Sequence, residues 1–142
     1  MIEVRLAENP EDLKAALRLR WTVFVEEQGV RPSEERDGRD QDAVHAIAHL
    51  DGVLCGAARF IFVGPGKAKI QRMAVIDDVR KHGVGRELLK FLETEAIRRG
   101  AKKLTLDAQV HARGFYEKAG YRPHGEQFMD AGIPHLAMEK TA

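Results

Sequence analysis

Apolar and polar residues alternate through Ile2-Glu3-Val4-Arg5-Leu6, the period of a half-buried strand. Asn9-Pro10-Glu11-Asp12 then supplies an N-cap, a proline suited to the first helical position and two acids for the first turn, so a helix is predicted to follow. Leu13, Ala16, Leu17, Trp21 and Phe24 fall at helical spacing, and the pattern stops at Gly29 and Pro32. Residues 31–42 are charged and carry no apolar period, which predicts a solvated loop. Val44 to Leu50 and Val53 to Val63 are apolar-rich runs joined by Asp51-Gly52, a pair suited to the positive φ angles of a type I′ turn, and so predict a hairpin. Gly64-Pro65-Gly66 breaks the second run before another strand-like stretch over Lys67 to Ile76.

From Val84 the period becomes helical: Val84, Leu88, Leu92 and Ala96 step by four, Glu87, Lys90, Glu93 and Arg98 take the other face, and Gly100 supplies a stop. Lys103 to Gln109 predicts a short strand, Ala112 to Ala119 a short helix ended by Gly120, and Tyr121 to Glu139 two more strands. The order β-α-β-β-β-α-β-α-β-β predicts an α/β (α+β) sandwich. Its sheet is mixed, mostly antiparallel and of about seven strands, with helices on both faces. With 142 residues and no linker-like tract, the expectation is one domain spanning 1–142.

Charge and cysteine content narrow the function classes. Twenty-three Lys and Arg against 22 Asp and Glu give a net charge of +1, so no global field favours nucleic acid or an anionic membrane, and an anionic ligand has to be held locally. The densest basic cluster, Arg98, Arg99, Lys102 and Lys103, sits at a helix end, where cations suit the dipole. One cysteine, Cys55, allows no intrachain disulfide and reads as a small buried hydrophobe on an apolar strand. With no secretory leader pattern and no run long enough to span a bilayer, the sequence predicts a cytoplasmic protein. His45 and His49 share a strand face without further ligands, and Asp37 to Asp42 lack the spacing of a calcium loop, so no metal is expected.

The strongest local signal is Arg80-Lys81-His82-Gly83-Val84-Gly85-Arg86, between a strand and the most regular helix. A helix N-terminus presents backbone N–H groups without internal partners, and the macrodipole adds partial positive charge there. Gly83 and Gly85 let a phosphate approach the backbone, while Arg80 and Lys81 add cations. The loop is not a Walker A loop, since Arg86-Glu87 follow Gly85, and a dinucleotide fingerprint would need a small residue where Leu88 stands.

This loop resembles the signature of the GCN5-related N-acetyltransferase (GNAT) superfamily: Arg or Gln, two residues, Gly, one residue, Gly or Ala. The segment Ala112-Arg113-Gly114-Phe115-Tyr116-Glu117-Lys118-Ala119-Gly120-Tyr121 is similar to a second motif of that superfamily. Val23 to Gln28, Ala43-Val44-His45, Ile70 to Val75 and Gly132-Ile133-Pro134-His135 resemble a narrower bacterial subgroup of acetyltransferases.

The resemblance implies the acyl-CoA N-acyltransferase fold and acetyl transfer from acetyl-CoA to a primary amine of a small molecule, directly in a ternary complex. It implies that Met73, Ala74 and Val75 line the pantetheine arm, that residues Arg80 to Arg86 hold the diphosphate, and that Phe115 contacts the cofactor. It also implies that Tyr116 protonates the departing thiolate, which a phenol of ordinary pKa near 10 can do. The base stays open among Asp107, His111, Glu26, His45 and His135, with Glu26 or His135 acting through water as the arrangement carried forward. A non-catalytic acyl-CoA sensor is the alternative, and the sequence fixes neither the acceptor, the acyl length nor whether the chain forms a homodimer.

Overall fold

The computed structural model describes residues 1–142. Strand β1 (Ile2–Leu6) leads to helix α1 (Pro10–Arg20), whose Asn9 cap accepts the Asp12 N–H at 2.8 Å. The helix continues without a break as a π-helical segment, Trp21–Glu27, which rotates the apolar stripe. Ala16, Leu19 and Val23 are the buried apolar residues of this continuous helix, while Leu13, Leu17, Trp21 and Phe24 lie half-buried at its margin. Short helix α2 (Pro32–Glu35) follows, and then the hairpin of β2 (Val44–Leu50) and β3 (Val53–Gly64) turns through Asp51 and Gly52, both at positive φ. Strand β4 (Lys67–Val75), a 3-10 turn (Asp77–His82), helix α3 (Val84–Arg98), strand β5 (Lys103–Gln109) and helix α4 (Arg113–Lys118) complete the central part.

The C-terminal segment forms three strands where two were expected: β6 (Arg122–Pro123), β7 (Phe128–Asp130) and β8 (Ile133–Thr141). β6 and β7 are short stubs pairing successive parts of the long β8, and so carry too little periodicity to register separately in the sequence. The eight-stranded sheet runs β1-β2-β3-β4-β5-β8-β6, with β7 beside β8, and only the β4–β5 pair is parallel.

Helices cover both faces. The predicted stripe Val84, Leu88, Leu92 and Ala96 is fully buried against Ala46, Ala48, Ala58 and Phe60. The opposite face, Ile47, Ala57 and Ala74, packs on Ala16, Leu19 and Val23 of the first helix. Cys55 is buried in the α3-side core, where burial pushes its thiol up.

Residues 31–42 correct the expectation of a solvated loop. Besides α2 they form a 3-10 turn, Asp40–Asp42, and their carboxylates enclose two buried arginines. Arg20 donates to Glu35 Oε1 at 2.7 Å and Asp40 Oδ1 at 2.7 Å, and Arg59 donates to Asp37 Oδ2 at 2.6 Å and Asp40 Oδ1 at 2.7 Å. A charged segment lacks an apolar period whether its partners are water or buried guanidinium groups, so the pattern could not separate the two.

Burial alone would raise the pKa of Asp37 and Asp40, but hydrogen bonds from Arg59 to Asp37 and from Arg20 to Asp40 hold both carboxyls below the ordinary range. Groups depressed in this way support the fold above the unfolded aspartate value near 4 and stop doing so as pH falls through their folded values. Arg59→Met is expected to cost about 3 kcal/mol in a denaturant titration at pH 7. That is the low end for removing one partner of a buried pair, because Asp37 keeps Arg72 and Asp40 keeps Arg20. The deficit relative to wild type should shrink below pH 4.

Candidate active site

β4 and β5 pair only from Lys67↔Lys103 to Ile70↔Leu106, yet β4 runs on to Val75 and β5 to Gln109. The two strands part there, and a cleft of about 520 Å³ opens between them. A bulge in β4 starts the divergence: register shifts between Ala57 and Arg59 opposite it, with Arg72 at φ +57°. That strained backbone is held by the Arg72 side chain, which donates to the Glu35 and Glu34 carbonyls at 3.2 and 3.1 Å and to Asp37 at 3.3 Å.

Met73 and Val75 line the cleft, whereas the Ala74 side chain is buried on the α1 side. Backbone groups alternate in direction along a strand, and the Ile76 N–H bonds Cys55 of β3, so the backbone groups of Met73 and Val75 face the parted side. Beyond Ile70 no strand takes them up, and of these groups the Val75 carbonyl accepts the Arg80 Nε–H at 2.9 Å.

At the end of β4 the chain turns into α3 through Gly83 at φ +86°. No side chain caps the helix there, so its first-turn amides receive no side-chain acceptor at that end. Gly83, Gly85 and Arg86 line the cleft, Val84 is buried in the core, and Lys81 and His82 are exposed beside the lining. Phe115 lies against the loop at Gly85, where a Cβ would stand 3.4 Å from its ring, within ordinary van der Waals contact. Arg80 lines the cleft as well, but its guanidinium is paired with both carboxylate oxygens of Glu27 at 2.6 Å.

Tyr116 lines the cleft from α4, wedged edge-on between Phe115 and Tyr121 with ring centroids 5.0 and 6.1 Å away. Burial pushes its phenol up to about 12, so the group keeps its proton throughout the neutral range. Tyr121 is anchored in turn: its OH donates to Glu93 at 2.8 Å, and Lys140 bonds the same carboxylate at 3.0 Å.

Of the base candidates, His135, Asp107 and His111 line the cleft, and Glu26 and His45 do not. Glu26 is exposed on the π-helical segment. His45 is buried, its Nε2–H donating to the Asp40 carbonyl, and desolvation lowers its pKa. Asp107 is paired with Lys69 at 2.9 Å. His135 lies 2.7 Å by Nδ1 from the Ile133 carbonyl, which can only accept, so Nδ1 carries the proton and neutral His135 presents its lone pair at Nε2.

The sequence assigned no role to Arg72, Gln28 or Gln109; Gln109 bonds Gln28 at 2.9 Å and the base candidate His111 at 2.6 Å along the cleft lining. Gln28 and Arg72 stand inside the family-like stretches, but nothing local to either marks a side chain whose partners are 37 and 81 residues away.

A sheet parted between two parallel strands, with a helix N-terminus that no side chain caps at the head of the gap and a protonated phenol at its side, defines an acyltransferase of the acyl-CoA-dependent kind. The comparisons agree. The family model described as acetyltransferase (GNAT) domain matches residues 9–142, and the chain belongs to that family. It is 40% identical over 136 residues to the uncharacterized N-acetyltransferase YjcF of Bacillus subtilis, covering 95% of this chain and 96% of YjcF. Among solved structures it is similar to Escherichia coli ElaA, with 32% identity, a TM-score of 0.85 and 99% of each chain covered. The aminoglycoside 6'-N-acetyltransferase solved with coenzyme A shares the fold at 20% identity and a TM-score of 0.74, covering 99% of this chain and 96% of that one.

Proposed function

We propose that the cleft transfers an acetyl group from acetyl-CoA to the primary amine of a small molecule, directly in a ternary complex. The observation carrying this reading is that the open edge of β4 and the uncapped amides of α3 meet in one cleft beside Tyr116. An extended pantetheine arm pairs with the backbone of Met73 and Val75 as an added strand would, and its diphosphate lies on the amides of Gly83 to Arg86. The acceptor enters from the opposite side, between Phe24, Gln28 and Val30 on one wall and Ile133 and His135 on the other.

The neutral amine nitrogen attacks the thioester carbonyl carbon and the carbon–sulfur bond breaks. The proton leaving nitrogen passes to Nε2 of His135, directly or through one water, while Tyr116 hydrogen-bonds the charge forming on the departing sulfur. The thiolate then takes a proton from water as His135 returns its own to solvent, so that amide and free thiol result. Glu26, outside the cleft lining, has no comparable approach to the nitrogen.

The test is thiol release from acetyl-CoA across a panel of small primary amines, preceded by calorimetry with coenzyme A. Coenzyme A binding with turnover on at least one amine is the expected result. Binding without turnover on any amine would instead favour an acyl-CoA sensor.

A further inference from the structure

Arg80 is the charged residue of the family-like loop signature and stands at the mouth of the phosphate loop, yet its hydrogen-bonding capacity is already committed. Its Nε–H donates to the Val75 carbonyl at 2.9 Å. Nη1 donates to Glu27 Oε2 at 2.6 Å and to Asp77 at 3.2 Å, and Nη2 donates to Glu27 Oε1 at 2.6 Å. Of the five N–H groups of a guanidinium, one is left for anything else. The bidentate geometry is that of a carboxylate matched to the guanidinium fork, and with Asp77 beside Glu27 a diphosphate at this guanidinium would meet two carboxylates.

The three attachment points belong to different parts of the site. Val75 ends the strand proposed to pair with pantetheine, Arg80 itself sits in the turn that leads into the first-turn amides of α3, and Glu27 ends the π-helical segment. That segment and the residues just after it supply Phe24, Gln28 and Val30 to the acceptor wall. The charge facing the phosphates then comes from the amides and from Arg86, which lines the cleft on the first turn of α3.

We propose that Arg80 is a positioning residue and not a phosphate ligand: with Glu27 it forms a strut that fixes the phosphate loop against the acceptor wall. The proposal rests on the reading of the cleft given above. It assigns Glu27, a residue outside the loop and outside the cleft lining, to cofactor binding.

The experiment is calorimetry of coenzyme A with wild type, Glu27→Gln, Arg80→Gln, Arg80→Lys and the double variant Glu27→Gln/Arg80→Gln. All are measured well below each variant's melting midpoint, so that a change in global stability alone leaves the dissociation constant unmoved. A strut predicts that both single Gln variants weaken binding, Arg80→Gln by about fivefold and Glu27→Gln by no more than that, since Arg80 also loses Val75 and Asp77. The double variant is then no weaker than Arg80→Gln, because Glu27 acts only through Arg80. It also predicts that Arg80→Lys behaves as Arg80→Gln, since a lysine keeps the charge and loses the fork. Two results overturn the strut: Arg80→Gln losing more than about tenfold while Glu27→Gln or Arg80→Lys keeps or tightens binding, or no variant changing affinity at all. A wild type that fails to bind coenzyme A overturns the reading of the cleft itself, and the strut with it.

Discussion

Tyr116→Phe should lower kcat by about a hundredfold, the usual scale of a positioned acid group, while coenzyme A binds within about twofold of wild type. The ring is held by edge contacts to Phe115 and Tyr121, and phenylalanine keeps both, so the loss falls on the hydroxyl alone. Burial sharpens the expectation. With the phenol near 12 and an unperturbed thiol near 8.5, full proton transfer to the sulfur is uphill, so Tyr116 acts chiefly by hydrogen bonding to the negative charge as it forms on sulfur. The protonated phenol is the useful form and persists until pH approaches 12. The wild-type rate should therefore rise with pH as the amine loses its proton and show no alkaline decline from Tyr116 below about pH 11. Stopped-flow thiol release over pH 6 to about 11 checks both statements, and a Phe variant with an unchanged rate would remove Tyr116 from the chemistry.

What the sequence disclosed follows from how local each signal is. Helix α3 and the glycine turn that leads into it were legible because the apolar face repeats within one element and glycine stands at both ends in consecutive, local signals. The Asp51-Gly52 turn and the Asn9 cap are local in the same sense. The parting of β4 from β5 is not local: it depends on where pairing stops between strands 36 residues apart, and no residue in either strand marks that point. The Arg20–Arg59 network failed to show for the same reason, its arginines lying on elements that contribute otherwise apolar faces. Charge pattern placed Arg80 on the phosphate, and only the fold brings Glu27 across 53 positions to meet it. For the base, the sequence offered five candidates and carried Glu26 and His135 forward, with nothing local to choose between those two. His135 differs from His45, whose tautomer a carbonyl also fixes, in lining the cleft, and that placement comes from the β7–β8 turn and not from the residue type.

Gly83→Val should weaken coenzyme A binding by about a hundredfold and leave the protein folded. Gly83 sits at φ +86°, in the left-handed region that a β-branched residue rarely occupies, and a Cβ there meets no protein atom within 4 Å. The conflict is therefore with the backbone angle and not with packing: the chain must leave the left-handed region or hold strain of roughly 1–2 kcal/mol. Leaving it swings the amides of Gly83 to Arg86 out of register with one another, and each hydrogen bond to a charged group lost in this way is worth about 1.5–3 kcal/mol. Loss of one or two such bonds gives the hundredfold. Gly100→Val is the matched control, because Gly100 also has positive φ, +105°, and open space for a Cβ, but lies past the opposite end of α3. It should lose comparable stability in a melt and keep coenzyme A affinity, which isolates orientation of the amides from backbone strain as such. Equal affinity losses in the two variants would mean that strain in the helix, and not anion binding by its first turn, governs the cofactor.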